Sequence, residues 1–127
     1  MLTALCAGAG LRVTLVYGGS PYGSQERELA AGAQVVVGTP GRVLDHLKRR
    51  SLRLDRVRIL VLDEADEMLD RGFAPDVERI LAMTPRSRQT ALFSATTPPW
   101  VKTIAGRHLA DPQIIESEPG DEYEPDI

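Results

Sequence analysis

The sequence predicts an α/β domain built on a parallel sheet, and two features support this prediction. Short apolar segments alternate with segments of helical periodicity along most of the chain, as in parallel sheets with right-handed crossover connections. The most apolar of them, Ile59–Leu62, contains no polar residue, which is typical of a strand buried on both faces. It ends abruptly in the carboxylates of Asp63 and Glu64.

The remaining elements follow from apolar periodicity and from turn and cap signals. Strands are expected at 13–17, 34–37, 59–62 and 89–93, with a last short strand at 113–115. Helices are expected at 2–9, between a cap at Ser24 and a stop at Gly32, and after the cap Thr39. Further helices should open at Pro75 and at 98–99, since proline suits a first helical turn.

Length and composition indicate one globular domain. The chain has 127 residues, 43% of them hydrophobic. A single cysteine, Cys6, excludes an internal disulfide and fits a reducing compartment, so a cytoplasmic location is expected. No apolar run approaches the roughly 18 residues of a membrane-spanning helix, so no membrane partner is expected.

The charge is distributed unevenly along the chain. The net charge is −3, yet the segment 116–127 alone carries six acidic residues and no basic one. Without those six negative charges the remainder is at +3. Residues 116–127 are therefore predicted to be an acidic linker or tail that follows a domain at 1–115. The basic stretch 48–58 is expected to be a solvated helix and turn, with nucleic-acid binding as the alternative.

The carboxylates after the central strand are the first candidate site. In open α/β sheets, ligands bind at the carboxyl ends of the strands, which is where Asp63 and Glu64 fall. Two acids at such a position are costly to desolvate unless they bind a metal ion or take part in chemistry. The alternative is a helix start, because the helix dipole favours acids in the first turn.

Four short motifs occur in a fixed order. They are Tyr17-Gly18-Gly19, Thr39-Pro40-Gly41-Arg42, Asp63-Glu64-Ala65-Asp66 and Ser94-Ala95-Thr96. In order and spacing they resemble the motifs of the DEAD-box RNA helicases, over about Leu11 to Ile115. The resemblance implies a three-layer RecA-like P-loop NTPase fold with a parallel sheet, truncated because the phosphate-loop strand is absent. Residues 1–115 would then form the C-terminal part of the first RecA-like helicase domain.

The resemblance also implies catalytic roles for individual residues. In the family, the residue at the Asp63 position holds Mg²⁺ through water. The residue at the Glu64 position polarises the attacking water. The Asp66 position is linked to Ser94, Ala95 and Thr96 and couples nucleotide state to RNA binding. For Ser94 and Thr96 the alternative is a strand end followed by a helix cap.

The other two motifs point to RNA. A helix N-terminus is a ready phosphate site, and glycine allows a close approach of the backbone. The family uses both motifs to hold the sugar-phosphate backbone without reading the sequence. The implied RNA-binding residues are Gly18, Gly19, Thr39, Pro40, Gly41 and Arg42. The alternative at each place is a tight βα turn.

The sequence lacks one motif that the family needs for nucleotide binding. No G-x-x-x-x-G-K-[ST] phosphate loop occurs in these 127 residues. ATP and Mg²⁺ are therefore implied as cofactors of a complete protein, and neither is expected to bind this chain tightly. RNA and a second RecA-like domain are the implied partners. Self-association is also expected, because an absent phosphate-loop strand would leave 89–93 as an exposed sheet edge.

Three functions remain open from the sequence. The first is a fragment of an ATP-dependent RNA helicase, which unwinds RNA when complete and is inactive by itself. The second is a short, non-catalytic RNA- or protein-binding module. The third is a metal-dependent phosphoesterase that uses Asp63, Glu64 and Asp66, although no further ligands converge on them.

His46 lacks a metal-ligand spacing and is expected to be an ordinary helix residue.

Overall fold

The computed structural model describes residues 2–117, with side chains from residue 5 onward. The described elements are α1 (Leu2–Gly8), β1 (Val13–Val16), α2 (Tyr22–Ala31), β2 (Val35–Gly38), α3 (Pro40–Lys48), β3 (Ile59–Leu62), α4 (Ala65–Asp70), α5 (Ala74–Ala82), β4 (Gln89–Leu92) and α6 (Pro99–His108). Helices and strands alternate as the sequence predicts, except that two consecutive helices, α4 and α5, lie between β3 and β4. No described helix has the length and apolar content needed to cross a membrane.

The four strands form two parallel pairs. β1 pairs with β2, with Val16 opposite Gly38, and β3 pairs with β4, with Leu62 opposite Leu92. Parallel pairing is therefore confirmed. Within residues 2–117 no hydrogen-bonded ladder joins one pair to the other.

Helices pack against the strands through two apolar clusters. The first contains the buried side chains of Leu62, Val77, Leu81 and Ile104, with Phe73 and Trp100 packed against them. The second contains Leu44, Leu47 and Leu52, and Ile80 of α5 packs against it. Because α5 contributes to both clusters, it holds the two strand pairs in one body.

The central strand differs from its prediction, because β3 is buried on one face only. Leu62 lies in the core and Leu60 packs against it, whereas Ile59 and Val61 are 66% and 56% exposed. Successive side chains of a strand point to opposite faces, and α5 and α6 cover only the face of Leu60 and Leu62. The prediction of burial on both faces is therefore wrong for the described chain.

Two other boundaries differ from the sequence prediction. Residues 113–115 form no strand, and Ile114 and Ile115 are 78% and 83% exposed, because no described strand pairs with them. Ser24 does not cap α2, which begins at Tyr22; its hydroxyl donates instead to the carbonyl of Pro21, at 3.0 Å. Most of the predicted acidic tail, residues 118–127, lies outside the described residues.

A close contact at the end of β2 places the following helix. A Cβ atom on Gly38 would lie 2.5 Å from the carbonyl oxygen of Val16 and 2.9 Å from Cγ2 of Val43. Only glycine fits where β1, β2 and α3 come this close. Because β1 and β2 are parallel, the residues that follow these two strands lie at the same edge of the pair, as predicted.

Candidate functional site

The acidic motif and the Ser94-Ala95-Thr96 motif lie side by side. Two backbone hydrogen bonds continue the pairing past the end of β3 and β4. Phe93 N donates to Leu62 O at 2.8 Å, and Ala65 N donates to Phe93 O at 3.0 Å. The structure therefore brings these two predicted site segments together.

Asp66 makes the side-chain connection between the two segments. Its Oδ2 accepts hydrogen bonds from the Thr96 hydroxyl at 2.9 Å and from Thr96 N at 3.0 Å. Its own backbone N–H donates to Ser94 Oγ at 3.2 Å. Ala95 lies between these two contacts and is exposed. Asp66 thus fastens the first turn of α4 to the segment that leads into α6.

These hydrogen bonds favour the ionised carboxylate. The Thr96 hydroxyl is the largest cause of a lowered pKa at Asp66, opposed by partial burial. The backbone N–H groups of Thr96 and Glu67 lower the pKa further. Asp66 is therefore an anion at neutral pH, and it acts as a hydrogen-bond acceptor.

Asp63 and Glu64 have a different environment from Asp66. Both side chains are exposed, and Glu64 N donates to Asp63 Oδ1 at 2.9 Å. Glu64 has φ 53° and ψ 49°, the left-handed region that side chains other than glycine seldom adopt. Residues held in such conformations cluster at functional sites.

A helix start explains only part of this geometry. Glu64 is the N-cap residue of α4, and its carbonyl accepts a hydrogen bond from Met68 N at 3.1 Å. Its side chain, however, makes no capping hydrogen bond. The Glu64 carboxylate is therefore exposed to solvent and not used as a helix cap.

Asp63 suits a hydrated metal ion. Mg²⁺ keeps several of its waters in proteins and binds through one or two carboxylates together with phosphate oxygens. Asp63 is exposed and only its Oδ1 accepts a hydrogen bond from the described residues, so Oδ2 can face such an ion. Within residues 2–117 no group of three or more possible ligand residues forms an all-protein metal site.

The Thr39-Pro40-Gly41-Arg42 motif forms the N-terminus of α3. Thr39 is its N-cap residue and Pro40 occupies the first turn, both as predicted, although the Thr39 side chain makes no capping hydrogen bond. A Cβ on Gly41 would meet no described atom within 4 Å, and the same holds for Gly18. Gly19 has φ 87°, which favours glycine. The other described residues therefore leave free space beside Gly18 and Gly41.

Arg42 joins this helix to the Gly18-Gly19 loop. Its Nη1 donates to the carbonyl oxygen of Ser20 at 2.7 Å and to Gln25 Oε1 at 3.1 Å. Its guanidinium carbon lies 3.9 Å from the centroid of the Tyr22 ring, within cation–π range. The two predicted RNA-binding motifs therefore lie next to each other.

Four residues of this network are absent from the sequence-based site. They are Tyr22, Gln25, Asp45 and His46. Tyr22 donates its hydroxyl to Asp45 Oδ2 at 2.7 Å, which raises the pKa of Tyr22, and Gln25 and His46 are almost completely buried. The prediction that His46 is an ordinary helix residue is therefore incomplete. The available signal is helical spacing, since positions 42, 45 and 46 fall on one face of α3.

The chain is similar to proteins of one known family. The family model of the DEAD/DEAH box helicases matches residues 1–104. The chain is 52% identical, over 118 residues, to the ATP-dependent RNA helicase DeaD of Haemophilus influenzae, covering 93% of this chain and 19% of that protein. It is 60% identical, over 102 residues, to the ATP-dependent RNA helicase DeaD of Mycobacterium tuberculosis, covering 80% and 18%.

Solved structures show the same likeness. A DEAD box protein from Methanococcus jannaschii has a TM-score of 0.76 and 44% identity, over 80% of this chain and 28% of that chain. A hypothetical ATP-dependent RNA helicase from Sulfolobus tokodaii has a TM-score of 0.82 and 34% identity, over 88% and 34%.

Fold and site together define a RecA-like α/β protein with an acidic motif at its strand ends, as the sequence predicts. The chain belongs to the DEAD/DEAH box helicase family. It spans about a fifth of the length of the curated relatives it matches.

Proposed function

We propose that this chain supplies the water-activating and RNA-contacting part of the first RecA-like domain of an ATP-dependent RNA helicase. Residues 1–115 would belong to that domain, and 116–127 would be an acidic linker or tail. The complete protein would unwind RNA at the expense of ATP, with a second RecA-like domain as partner. The connection between Asp66 and Thr96 carries this proposal, because it ties the carboxylate motif to a neighbouring segment that can respond to it.

The proposed chemistry is hydrolysis of the terminal phosphate of ATP. Bound Mg²⁺ would neutralise phosphate charge, and Asp63 is the residue that would hold it through water. Glu64, exposed and free of a capping contact, would orient the attacking water. Asp66 would stay ionised and keep its two hydrogen bonds to Thr96, so that a movement of α4 also moves the segment 94–96.

The protein would bind RNA by contacting the sugar-phosphate backbone of the RNA. The open backbone at Gly18 and Gly41, the Thr39 hydroxyl and the Arg42 guanidinium are the groups that can face phosphates. Such contacts fix position without reading base sequence. The hydrogen bond from Arg42 to the carbonyl of Ser20, directly after Gly19, supports the RNA-binding interpretation. It brings the two motifs together, so that they can form one RNA-binding surface.

A chimera tests the proposal. The segment of the Haemophilus influenzae relative that matches this chain would be replaced by this chain, which is 52% identical to it. We expect RNA-stimulated phosphate release from Mg²⁺-ATP, and a loss of about 100-fold or more in Glu64→Gln, as for other groups that orient a nucleophile.

Glu67→Gln is the matched control, because Glu67 is also an exposed acid of the same motif region. Its phosphate release should stay close to that of the unmodified chimera. Equal activity of the Glu64→Gln chimera and the unmodified chimera would refute the role assigned to Glu64.

A further inference from the structure

The buried amide of Gln25 lies at the centre of the contacts between the two glycine-containing motifs. Gln25 is on α2 and is 3% exposed. Its Nε2 donates to the carbonyl oxygen of Tyr17 at 3.0 Å, directly before Gly18. Its Oε1 lies 3.1 Å from Arg42 Nη1 and 2.7 Å from His46 Nε2. One side chain thus contacts the Gly18-Gly19 loop and two residues of α3.

These contacts determine the hydrogen-bonding role of each atom. The Tyr17 carbonyl can only accept, so the Gln25 NH₂ group must face it and Oε1 must face Arg42 and His46. His46 Nε2 then carries a hydrogen and donates to Oε1, and its Nδ1 accepts from the Ser51 hydroxyl at 2.7 Å. Burial lowers the pKa of His46, in agreement with a neutral ring. The buried amide oxygen therefore has two donors, and the amide nitrogen has one acceptor.

Tyr22 restrains the Arg42 guanidinium from another side. Arg42 lies over the Tyr22 ring, and the Tyr22 hydroxyl is held by Asp45. The guanidinium carbon of Arg49 lies 4.4 Å from the centroid of the same ring, and Arg49 Nε is 2.6 Å from Glu26 Oε1. Arg42 thus has a fixed orientation relative to the loop, which a flexible surface arginine would lack.

We propose that Gln25 is a positioning residue, which holds the Gly18-Gly19 loop and Arg42 in register so that they bind adjacent phosphates of one RNA strand. This inference rests on the proposed RNA-binding function and adds to it a residue that does not itself touch RNA. Without the amide, the Tyr17 carbonyl loses a donor, and within residues 2–117 Arg42 keeps only Ser20 as a hydrogen-bond partner. The loop and the guanidinium can then move independently.

Gln25→Met tests the inference, because methionine has a similar volume and forms none of these hydrogen bonds. Binding of a fluorescein-labelled oligouridylate to the 127-residue chain would be followed by anisotropy at several salt concentrations. Two or three phosphate contacts give the unmodified chain a log–log salt slope of about −1.5 to −2 on a single strand. The slope is that of the logarithm of the binding constant against the logarithm of the salt concentration, and loss of one contact makes it shallower by about 0.7. Over a ten-fold increase in salt, the variant should therefore lose about five-fold less affinity than the unmodified chain.

The salt slope separates positioning from a purely structural role. Partial unfolding lowers the fraction of active protein but leaves the number of phosphates bound by each folded molecule unchanged. Gln34→Met is the matched control, since the Gln34 amide also hydrogen-bonds to the backbone: its oxygen accepts from Arg12 N at 2.7 Å, at the opposite end of the β1–β2 pair. It should keep the unmodified slope.

Arg42→Ala distinguishes failure of this inference from failure of the proposed function. If Arg42→Ala keeps the unmodified slope, Arg42 does not bind phosphate, and the proposed RNA surface is wrong. If Arg42→Ala makes the slope shallower and folded Gln25→Met does not, RNA binding stands and the role of Gln25 is overturned.

A second variant applies if Gln25→Met does not fold. Arg42→Lys keeps the positive charge but has a single ammonium group, which cannot reproduce the planar contacts with Ser20, Gln25 and Tyr22. A slope like that of Arg42→Ala supports positioning. If Arg42→Lys keeps the slope of the unmodified chain, the positioning role is overturned, because a positive charge at position 42 would then be sufficient for phosphate binding.

Discussion

The Asp66 carboxylate and the Thr96 hydroxyl are hydrogen-bonded at 2.9 Å, although 30 positions separate them in the sequence. The same carboxylate oxygen accepts the Thr96 backbone N–H at 3.0 Å. Thr96 thus donates two hydrogen bonds, from its hydroxyl and from its backbone amide, to one carboxylate oxygen. This contact is the direct link between the acidic motif and the segment that leads into α6.

The link predicts a change in the titration of Asp66. Thr96→Val removes the hydroxyl and should raise the pKa of Asp66 toward its ordinary value. A lowered pKa in the folded state stabilises the fold above the unfolded pKa of about 3.9 and loses that effect as pH falls through the folded pKa. The unmodified chain should therefore lose more stability in acid than the variant does.

Carbon-13 NMR titration of the Asp66 carboxyl measures this directly. Thr97→Val is the control, since Thr97 is its exposed neighbour and is not among the causes of the lowered pKa. An unchanged Asp66 pKa in Thr96→Val would show that the hydroxyl does not act as described.

Two histidines, the buried His46 and the half-buried His108, predict stability that depends on pH near neutrality. Burial is the main cause of a lowered pKa at both His46 and His108. Folding then favours the neutral ring, so the contribution is complete above the unfolded pKa of about 6.5 and is lost as pH falls through the folded values. Urea unfolding at about pH 7.5 and 5.5 should show lower stability in acid, and less difference in a His46→Asn, His108→Asn double variant. A double variant with the full pH dependence would contradict this cause.

The sequence predicts no ATP hydrolysis by this chain alone. A phosphate loop supplies the backbone cradle and the lysine for the β- and γ-phosphates, and none occurs in the 127 residues. Phosphate release with Mg²⁺-ATP and RNA should equal the background in the unmodified chain and in Glu64→Gln. Release above background that disappears in Glu64→Gln would show that another group holds the nucleotide.

The uncovered face of β3 predicts self-association. Ile59 and Val61 are exposed on this face, Phe93 is 57% exposed just after β4, and parallel strands of four residues leave backbone groups unpaired. Val61→Lys should weaken association by about ten-fold or more, since burying one such side chain contributes roughly 1.5–3 kcal/mol. Sedimentation velocity over a range of concentrations measures the change.

Met83→Lys provides the control for this experiment. Met83 is 49% exposed but follows the end of α5, so its replacement should leave association unchanged. A chain that is monomeric at all concentrations would show that the exposed face does not self-associate.

The sequence predicts the elements and the motif positions well, because both depend on local patterns. The apolar run at 59–62, the prolines at helix starts and Gly32 at the end of α2 are such patterns. Burial depends on what packs against a residue. The apolar run alone therefore could not show that no other element packs on Ile59 and Val61, which are exposed. Gln25 is a further example, since a polar residue becomes a central contact only when α2 and α3 pack together.

The most direct test of the central claim measures the RNA dependence of ATP hydrolysis in the chimera with Thr96→Val and Thr97→Val. Thr96→Val should reduce stimulation by RNA about ten-fold or more, as expected for the loss of one charge-assisted hydrogen bond of roughly 1.5–3 kcal/mol, and Thr97→Val should retain the full stimulation. Full stimulation by RNA in a folded Thr96→Val chimera would contradict the claim that the Asp66–Thr96 contact couples the acidic motif to RNA.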